Sequence, residues 1–212
     1  MKTLGKLEAL KQLKAAYLQQ MFPQDGERVP RVRFAGFDRE WIPQKLKDIG
    51  KATGGTAIES EFDKNGIYKV ISIGSYSEKS LYTDQGLRTF KTQKTFNRIL
   101  NKNDLTMILN DKTAAGNIIG RVLHIDEDDK YVYNQRTQRI EPYGNYDSIF
   151  LYQMLNADSI RLKIVQAAQG NTQIYVNWST ICEFDYCFPN KPEQIKIGNF
   201  FRTLDNLIAL HS

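Results

Sequence analysis

Few residues of this sequence have types and spacings that support catalysis or metal binding. The two histidines, His124 and His211, lie far apart in the chain, without the spacing of metal ligands. The only cysteines, Cys182 and Cys187, form a C-x4-C pair without a flanking histidine, which makes a poor zinc site. If this segment is a strand, an offset of five places the two thiols on opposite faces and disfavours a disulfide. We therefore predict no catalytic residue, no metal and no cofactor.

Two enzyme classes, adenine methyltransferases and metal nucleases, require short motifs that can be looked for in this sequence. An adenine methyltransferase needs a Gly-rich cofactor turn and a loop with an amide, a proline and an aromatic residue. The segment Glu141–Gly144 has the proline and the tyrosine but lacks the amide. Acidic residues beside a lysine, as in a metal nuclease, occur at Asp128–Lys130, in what we predict to be a hairpin loop. Neither motif is sufficient, so we predict a protein that is not an enzyme.

Charge is distributed unevenly along the chain. The net charge is +5, and between Gln85 and Arg121 there are seven basic residues against two acidic ones. The run Asp126–Asp129 that follows is wholly acidic. This pattern favours a polyanionic partner on one polar face while another face stays in solvent. The alternative is an ordinary solvated surface with a chance excess of lysine and arginine.

Composition and hydropathy predict a globular protein of the cytoplasm. Hydrophobic residues make up 41% of the chain and charged residues 25%, enough for a core in one domain with an accessory element. The N-terminal residues lack the apolar centre of a signal peptide, and no apolar run approaches the roughly 18 residues that span a bilayer.

Both ends of the chain are predicted to be amphipathic helices. Apolar residues recur at steps of three and four from Leu4 to Met21, and Pro23 ends the pattern. Near the other end, Pro192 and Glu193 suit a first helical turn. Helices of this length are marginal alone, so their apolar stripes must pack on each other, on the body or on a partner. The predicted helix-interface residues are Leu7, Leu10, Leu13, Tyr17, Ile197, Phe201, Leu204 and Ile208.

The middle of the chain is predicted to mix strands, helices and long polar loops, which gives an α+β fold class. Predicted strands are Ile67–Ile73, Leu105–Leu109, Ile118–Ile125 and Ile181–Phe188, and predicted helices are Tyr146–Asn156 and Ser159–Ala168. The long loops are Gly74–Thr89, Asn110–Asn117 and Asn134–Asn145. Long polar loops on a compact body are usually functional.

Three segments resemble a known family, the specificity subunits of type I restriction-modification systems. Residues 192–211 (PEQIKIGNFFRTLDNLIALH) resemble the start of that family's conserved helix, and residues 6–23 (KLEALKQLKAAYLQQMFP) resemble its end. Residues 31–37 (RVRFAGF) with Trp41 are similar to the start of the following recognition domain. The middle is similar to the family's variable domain only in its overall sequence pattern, as at Gly66–Tyr68 and Ala168–Gln173.

The resemblance implies a target-recognition domain at 24–190 between spacer helix segments at 1–23 and 191–212. Such subunits hold two recognition domains apart on antiparallel helices, and each domain reads half of a split DNA target. Methylation of adenine belongs to modification subunits, and cleavage to a separate ATP-driven endonuclease subunit. This sequence departs from the family in having one recognition domain, so two chains would have to form a homodimer to rebuild the two-domain arrangement. Membranes are not among the expected partners.

The expected contacts with double-stranded DNA lie in the basic polar loops. Charged side chains there would contact phosphates, and Tyr, Asn, Thr and Gln would contact bases. The predicted DNA-binding residues are Tyr76, Arg88, Lys91, Lys94, Asn110, Lys112, Thr113, Asn134, Gln135, Arg136 and Arg139. The alternative function is an interaction module that occupies a modification or specificity subunit without reading DNA.

Overall fold

The computed structural model describes residues 2–212, and side chains from residue 5 onward. Its helices are α1 (Lys2–Gln20), α2 (Ser148–Asn156), α3 (Asp158–Gln166), α4 (Trp178–Ile181) and α5 (Lys191–Leu210). Its strands are β1 (Ile42–Lys45), β2 (Gly50–Gly54), β3 (Tyr68–Ile71), β4 (Arg88–Thr89), β5 (Leu105–Ile108), β6 (Asn110–Asp111), β7 (Val122–His124), β8 (Tyr131–Tyr133), β9 (Thr137–Pro142), β10 (Ile174–Tyr175) and β11 (Asp185–Phe188).

The strands form four small sheets. The largest is antiparallel, with the order β2-β9-β5-β7. A three-stranded sheet has the order β4-β3-β8, in which β3 and β8 are parallel. Two antiparallel pairs, β1-β11 and β10-β6, complete the body. The predicted α+β class with a helix at each end is confirmed. None of the helices in the described residues is long and apolar enough to cross a bilayer.

The two terminal helices lie side by side and antiparallel. The rings of Tyr17 and Phe200 meet edge to face at 5.0 Å, and Lys14 binds Asp205 at 2.5 Å. Asn190 caps α5 by accepting a hydrogen bond from the Glu193 N–H, which satisfies one of the free donors of the first turn. The pairing explains how two short helices are held, since neither would be stable alone in water.

The apolar stripe of α5 is buried in the body rather than along α1. Ile197, Phe201 and Leu204 are at most 6% exposed and join the main core, where Phe201 stacks on Phe22 at 5.8 Å. Helix α1 borders this core through Leu10, Tyr17 and Leu18. Of the partners that the sequence left open, the body and α2 bury most of the α5 stripe, while α1 contacts α5 at its edge through Tyr17.

One residue of the predicted α1 interface faces solvent instead of α5. Leu13 is 43% exposed, whereas Leu7, Leu10 and Tyr17 are half-buried. On α5, Ile208 is also half-buried.

A glycine allows α5 to approach the start of α2 closely. A Cβ atom at Gly198 would lie 2.8 Å from Asp147 Oδ1 and 3.0 Å from the backbone nitrogen of Phe150. Asp147 caps α2 by accepting from the Phe150 N–H, and the Asp147 N–H donates to Gln194 Oε1. The backbone of α5 at Gly198 therefore packs directly against the first turn of α2.

Several local predictions are wrong. The segment predicted as one strand from Ile181 to Phe188 divides into the end of α4 and strand β11, because a turn at Cys182–Phe184 separates them. The polar segment Asn134–Asn145 contains β9, the central strand that pairs with both β2 and β5. The acidic run Asp126–Asp129 is not a hairpin loop, since β7 and β8 belong to different sheets.

Candidate nucleic-acid interface

One end of the largest sheet gathers most of the polar loops. The pairs Gly54–Gln138 and Ile108–Thr137 place the end of β2, the start of β9 and the end of β5 at this same end. We call the loops there, residues 54–61, 109–113, 134–136 and 174–178, the loop edge. Antiparallel pairing alone brings these separate segments of sequence together.

Backbone hydrogen bonds hold the loop edge in one arrangement. The Leu109 N–H donates to the Arg136 carbonyl and the Val176 N–H to the Leu109 carbonyl, each at 2.9 Å. The Gly55 N–H donates to the Thr137 carbonyl at 2.8 Å. The short strands β6 and β10 add the pair Asn110–Tyr175. Side chains on these loops are therefore carried by a fixed backbone, as a recognition surface requires.

A carboxylate orients the turn between β8 and β9. Glu59 Oε1 accepts hydrogen bonds at 2.9 Å from the amides of both Asn134 and Gln135. The Asn134 oxygen in turn accepts from the N–H groups of Ile58 and Gln135. The hydrogen bond from Asn134 is the main reason that the pKa of Glu59 lies below its ordinary value. Glu59 thus stays ionised and fixes both amides.

Between these loops lies a cleft of about 200 Å³ with a mixed polar and apolar lining. Its polar side chains come from four separate segments: the start of β9, β6, β10 and the first turn of α4. The lining includes Asn110, Arg136, Gln138, Tyr175, Asn177 and Trp178.

Exposed cations surround this cleft. Arg136 and Lys112 lie on the loop edge itself. Lys94 is anchored beside it, donating to Ser60 Oγ at 2.9 Å and lying 3.3 Å from Glu61. In the same loop the Lys91 ammonium lies 5.5 Å from the centre of the Phe96 ring.

The acidic run lies at the opposite end of the sheet. His124 pairs with Leu105, at the end of the sheet where β5 begins, and Asp126–Asp129 follow it directly. Asp128 accepts a hydrogen bond from the backbone N–H of Lys102 in the loop that precedes β5. The loop edge therefore carries Arg136 and Lys112 beside the carboxylates of Glu59 and Glu61. The other end carries the exposed run Asp126–Asp129 beside Lys102 and Lys130.

Four of the residues predicted to bind DNA are committed to the fold instead. Tyr76 is 4% exposed, and burial raises the pKa of its hydroxyl. Arg88 binds Asp84 through two 2.8 Å hydrogen bonds. Arg139 is 9% exposed and pairs with Asp104 at 2.8 Å. Asn134 is 5% exposed and holds the turn described above. Each has its polar atoms engaged or buried, so we withdraw these four as DNA contacts.

Other predicted contacts remain on or beside the loop edge and exposed or half-buried. They are Lys91, Lys94, Asn110, Lys112, Thr113, Gln135 and Arg136. Sequence reasoning missed Tyr175, Asn177 and Trp178, which line the cleft. Their signal was a run of aromatic and amide residues directly after the Gly170–Gln173 turn, and only the pairing of β10 with β6 brings it beside Asn110.

The cysteines and histidines lie away from this cleft. Cys182 and Cys187 are free thiols. His124 contacts Ser148 Oγ through Nε2 at 3.1 Å, and His211 Nδ1 lies 2.8 Å from the Leu207 carbonyl. Within the described part of the chain, no group of three or more His, Cys, Asp and Glu residues is arranged to hold a metal ion.

Solved structures with a similar fold come from type I restriction-modification systems, and two of them are specificity subunits. The S subunit from M. genitalium matches with a TM-score of 0.60 at 17% identity, over 82% of this chain and 41% of that one. The HsdS subunit from Thermoanaerobacter tengcongensis matches with a TM-score of 0.65 at 12% identity, over 99% and 46%. A chain from a structural study of complex assembly in the type I R-M system gives 0.68 at 11% identity, over 98% and 47%.

The family model for the type I restriction modification DNA specificity domain matches residues 38–212. The chain belongs to this family. It spans less than half the length of the three solved chains. No curated protein matches the sequence.

Proposed function

We propose that this chain recognises a specific sequence in double-stranded DNA as the specificity component of a type I restriction-modification system. The observation that carries the proposal is the loop edge, where the exposed cations Lys112 and Arg136 and several amide side chains lie on or around one cleft. Cations on one face supply attraction to phosphate, and amides in a cleft supply groups that distinguish bases. In this proposal the chain acts in the cytoplasm, where its DNA target is found.

Catalysis belongs to partner subunits in this proposal. The chain directs modification subunits, which methylate adenine at N6, and an endonuclease subunit that translocates and cuts. Residues 24–190 serve as the target-recognition domain, and residues 1–23 and 191–212 as spacer segments. The antiparallel contact between α1 and α5 supports the spacer role, because it pairs the two terminal helices on one side of the body.

The salt dependence of duplex binding tests the DNA interface. Replacing Lys91, Lys94 and Lys112 together by alanine removes three cations at or beside the loop edge. Each lost phosphate contact lowers the slope of log K against log salt by roughly 0.9, so we expect weaker binding to every duplex and a slope lower by up to about three. Fluorescence anisotropy with random duplexes at several salt concentrations measures both.

A matched control removes three lysines from the acidic end of the sheet. Lys51, Lys102 and Lys130 to alanine changes net charge equally but should leave the slope nearly unchanged. Equal slopes for the two triple variants would place the interface elsewhere. Absence of salt-sensitive binding by the wild-type chain would instead favour the interaction-module alternative.

Two chains form a two-fold homodimer in this proposal and together present two recognition domains. Exposed Leu13 and Leu210 on the outer part of the helix pair offer apolar surface for the contact. A two-fold dimer presents identical domains in inverted orientation, so its target is an interrupted palindrome.

Light scattering and methylome sequencing test the dimer. We expect a mass of two chains at tens of micromolar, and a palindromic methylation motif when the chain is co-expressed with modification subunits. A monomer that directs methylation to an asymmetric split site would contradict the proposal.

A further inference from the structure

Arg136 occupies a backbone conformation that favours glycine. Its φ is +67°, in the left-handed region that side chains with a Cβ rarely adopt. The strand start at Thr137 and the hydrogen bond from the Leu109 N–H to the Arg136 carbonyl keep it there. Glycine would adopt this conformation without strain. The fold therefore gains nothing from an arginine at this position.

The Arg136 guanidinium has no hydrogen bond or ion pair with the residues that the structure describes. Most other arginines have internal partners: Arg88 binds Asp84, Arg121 lies 3.3 Å from Asp158, and Arg139 binds Asp104. Arg39, which is exposed and does not line the cleft, has none among the described residues either. An arginine held on a rigid turn with its five donors free is arranged for an external acceptor.

The cleft beside Arg136 contains further planar polar groups that also lack hydrogen-bond partners among the described residues. The side chains of Asn110 and Asn177 form no hydrogen bonds within the described residues, and both line the cleft. Tyr175 and Trp178 provide aromatic surface there, and Tyr175 is 39% exposed. Guanidinium and amide groups in one recess match the edges of bases, since each forms paired hydrogen bonds with a planar acceptor or donor pattern.

We propose that Arg136 is the guanine-reading residue of this chain, donating two hydrogen bonds to O6 and N7 of a guanine in the major groove. Asn110 and Asn177 contact the edges of neighbouring bases from the same cleft. The guanidinium fork fits either a phosphate or the O6 and N7 edge of guanine in two bonds, and its position in the cleft beside Asn110 and Asn177 favours the base edge. The inference rests on the proposed function and adds to it the position at which sequence is read.

Selection of binding sites from a random duplex pool by the purified chain tests this role. Arg136→Gly removes the guanidinium and leaves the turn in a conformation that glycine prefers. We expect the wild-type consensus to contain a guanine that becomes degenerate in Arg136→Gly while the other positions persist. Discrimination at that position should fall from roughly 5- to 150-fold to about onefold. Lys112→Ala is the control and should weaken all duplexes alike.

Each other outcome has a distinct meaning. A consensus without guanine, or one unchanged in Arg136→Gly, overturns the inference. Uniform weakening by Arg136→Gly, with the consensus intact, assigns Arg136 to phosphate contact and also overturns it. Absence of any selected sequence with the wild-type chain overturns the proposed function as well. A melting temperature of Arg136→Gly at or above that of the wild type shows that the variant is folded.

Discussion

The Arg33 guanidinium and the Glu193 carboxylate form a buried ion pair with two hydrogen bonds, of 2.6 and 2.8 Å. The Glu193 side chain is fully buried and that of Arg33 is 11% exposed. Hydrogen bonding to Glu193 raises the pKa of Arg33. The pair joins the segment after α1 to the first turn of α5, where a carboxylate also suits the helix dipole.

Removing one member of this pair should destabilise the protein strongly. Arg33→Ala leaves the Glu193 carboxylate buried without its cation, and we expect a loss of about 3–5 kcal/mol in the free energy of unfolding. Urea denaturation measures the loss. Arg31→Ala is the control, because Arg31 is 69% exposed and lies 3.8 Å from Glu27, and should change stability by less than about 0.5 kcal/mol. Similar effects for both variants would contradict the importance of the buried pair.

Burial also sets the charge of a histidine between β7 and α2. Desolvation lowers the pKa of His124, so the folded protein binds its proton less readily than the unfolded chain does. Stability from the neutral imidazole is then full above the unfolded pKa of about 6.5 and is lost as pH falls through that value towards the folded pKa.

We therefore expect the wild type to lose stability between pH 7 and pH 5. His124→Gln keeps a polar atom near Ser148 but cannot titrate, and its stability should fall less over the same range. Urea midpoints at several pH values measure the difference. Parallel pH profiles for the two proteins would assign the loss to carboxylates.

At the scale of elements, α5 is built into the main core along one face. Three residues of its apolar stripe lie in the main core, and Phe201 is fully buried between Phe22 and neighbouring rings. Phe201→Ala should cost about 3–5 kcal/mol, the range for removing a buried phenyl ring. Thermal or urea unfolding measures it, with Leu210→Ala as control because Leu210 is 79% exposed. An unchanged midpoint for Phe201→Ala would contradict the observed packing.

Helices were predicted better than strands, for a physical reason. The periods of α1, α2, α3 and α5 are visible in sequence because each helix has its own apolar face. Strand β9 was taken for a loop because its residues Thr137–Arg139 are polar, although pairing on both sides buries them. Burial of that kind depends on strands that are distant in sequence, so the local pattern of polar and apolar residues does not predict it.

The same limit applied to the candidate site. Arg88, Arg139 and Arg136 are alike in sequence, and only the fold decides that the first two bind internal carboxylates while the third faces a cleft. Composition predicted the polar and basic character of the loops. It did not predict which loops meet, because strand pairing brings Asn110 beside Tyr175 across 65 residues of chain.

At the scale of the whole molecule, the core is continuous from the terminal helices to the largest sheet. Phe22 and Phe201 share it with Leu105, Met107 and Ile140. The terminal segments are therefore tied to the recognition body by buried contacts, and their direction relative to the loop edge is fixed by the same core.

The antiparallel contact of α1 and α5 brings the two ends of the chain towards each other, so that the polypeptide is nearly a closed ring. From Lys14 and Asp205, which touch, the helices run on by about 20 Å and 10 Å at 1.5 Å per residue. A flexible linker of about six to eight residues then spans the gap. New ends opened in the exposed run Asp126–Asp129 lie away from the cleft.

Such a circular permutant should fold and keep its DNA preference, since sheet pairing and core contacts do not depend on where the chain is cut. Far-UV circular dichroism and site selection check this. Closing the ends without a new cut should stabilise the protein, because a ring has fewer unfolded conformations to lose. Much of this molecule's topology is thus independent of the point at which the chain is cut, because the pairing of α1 with α5 holds the two ends together.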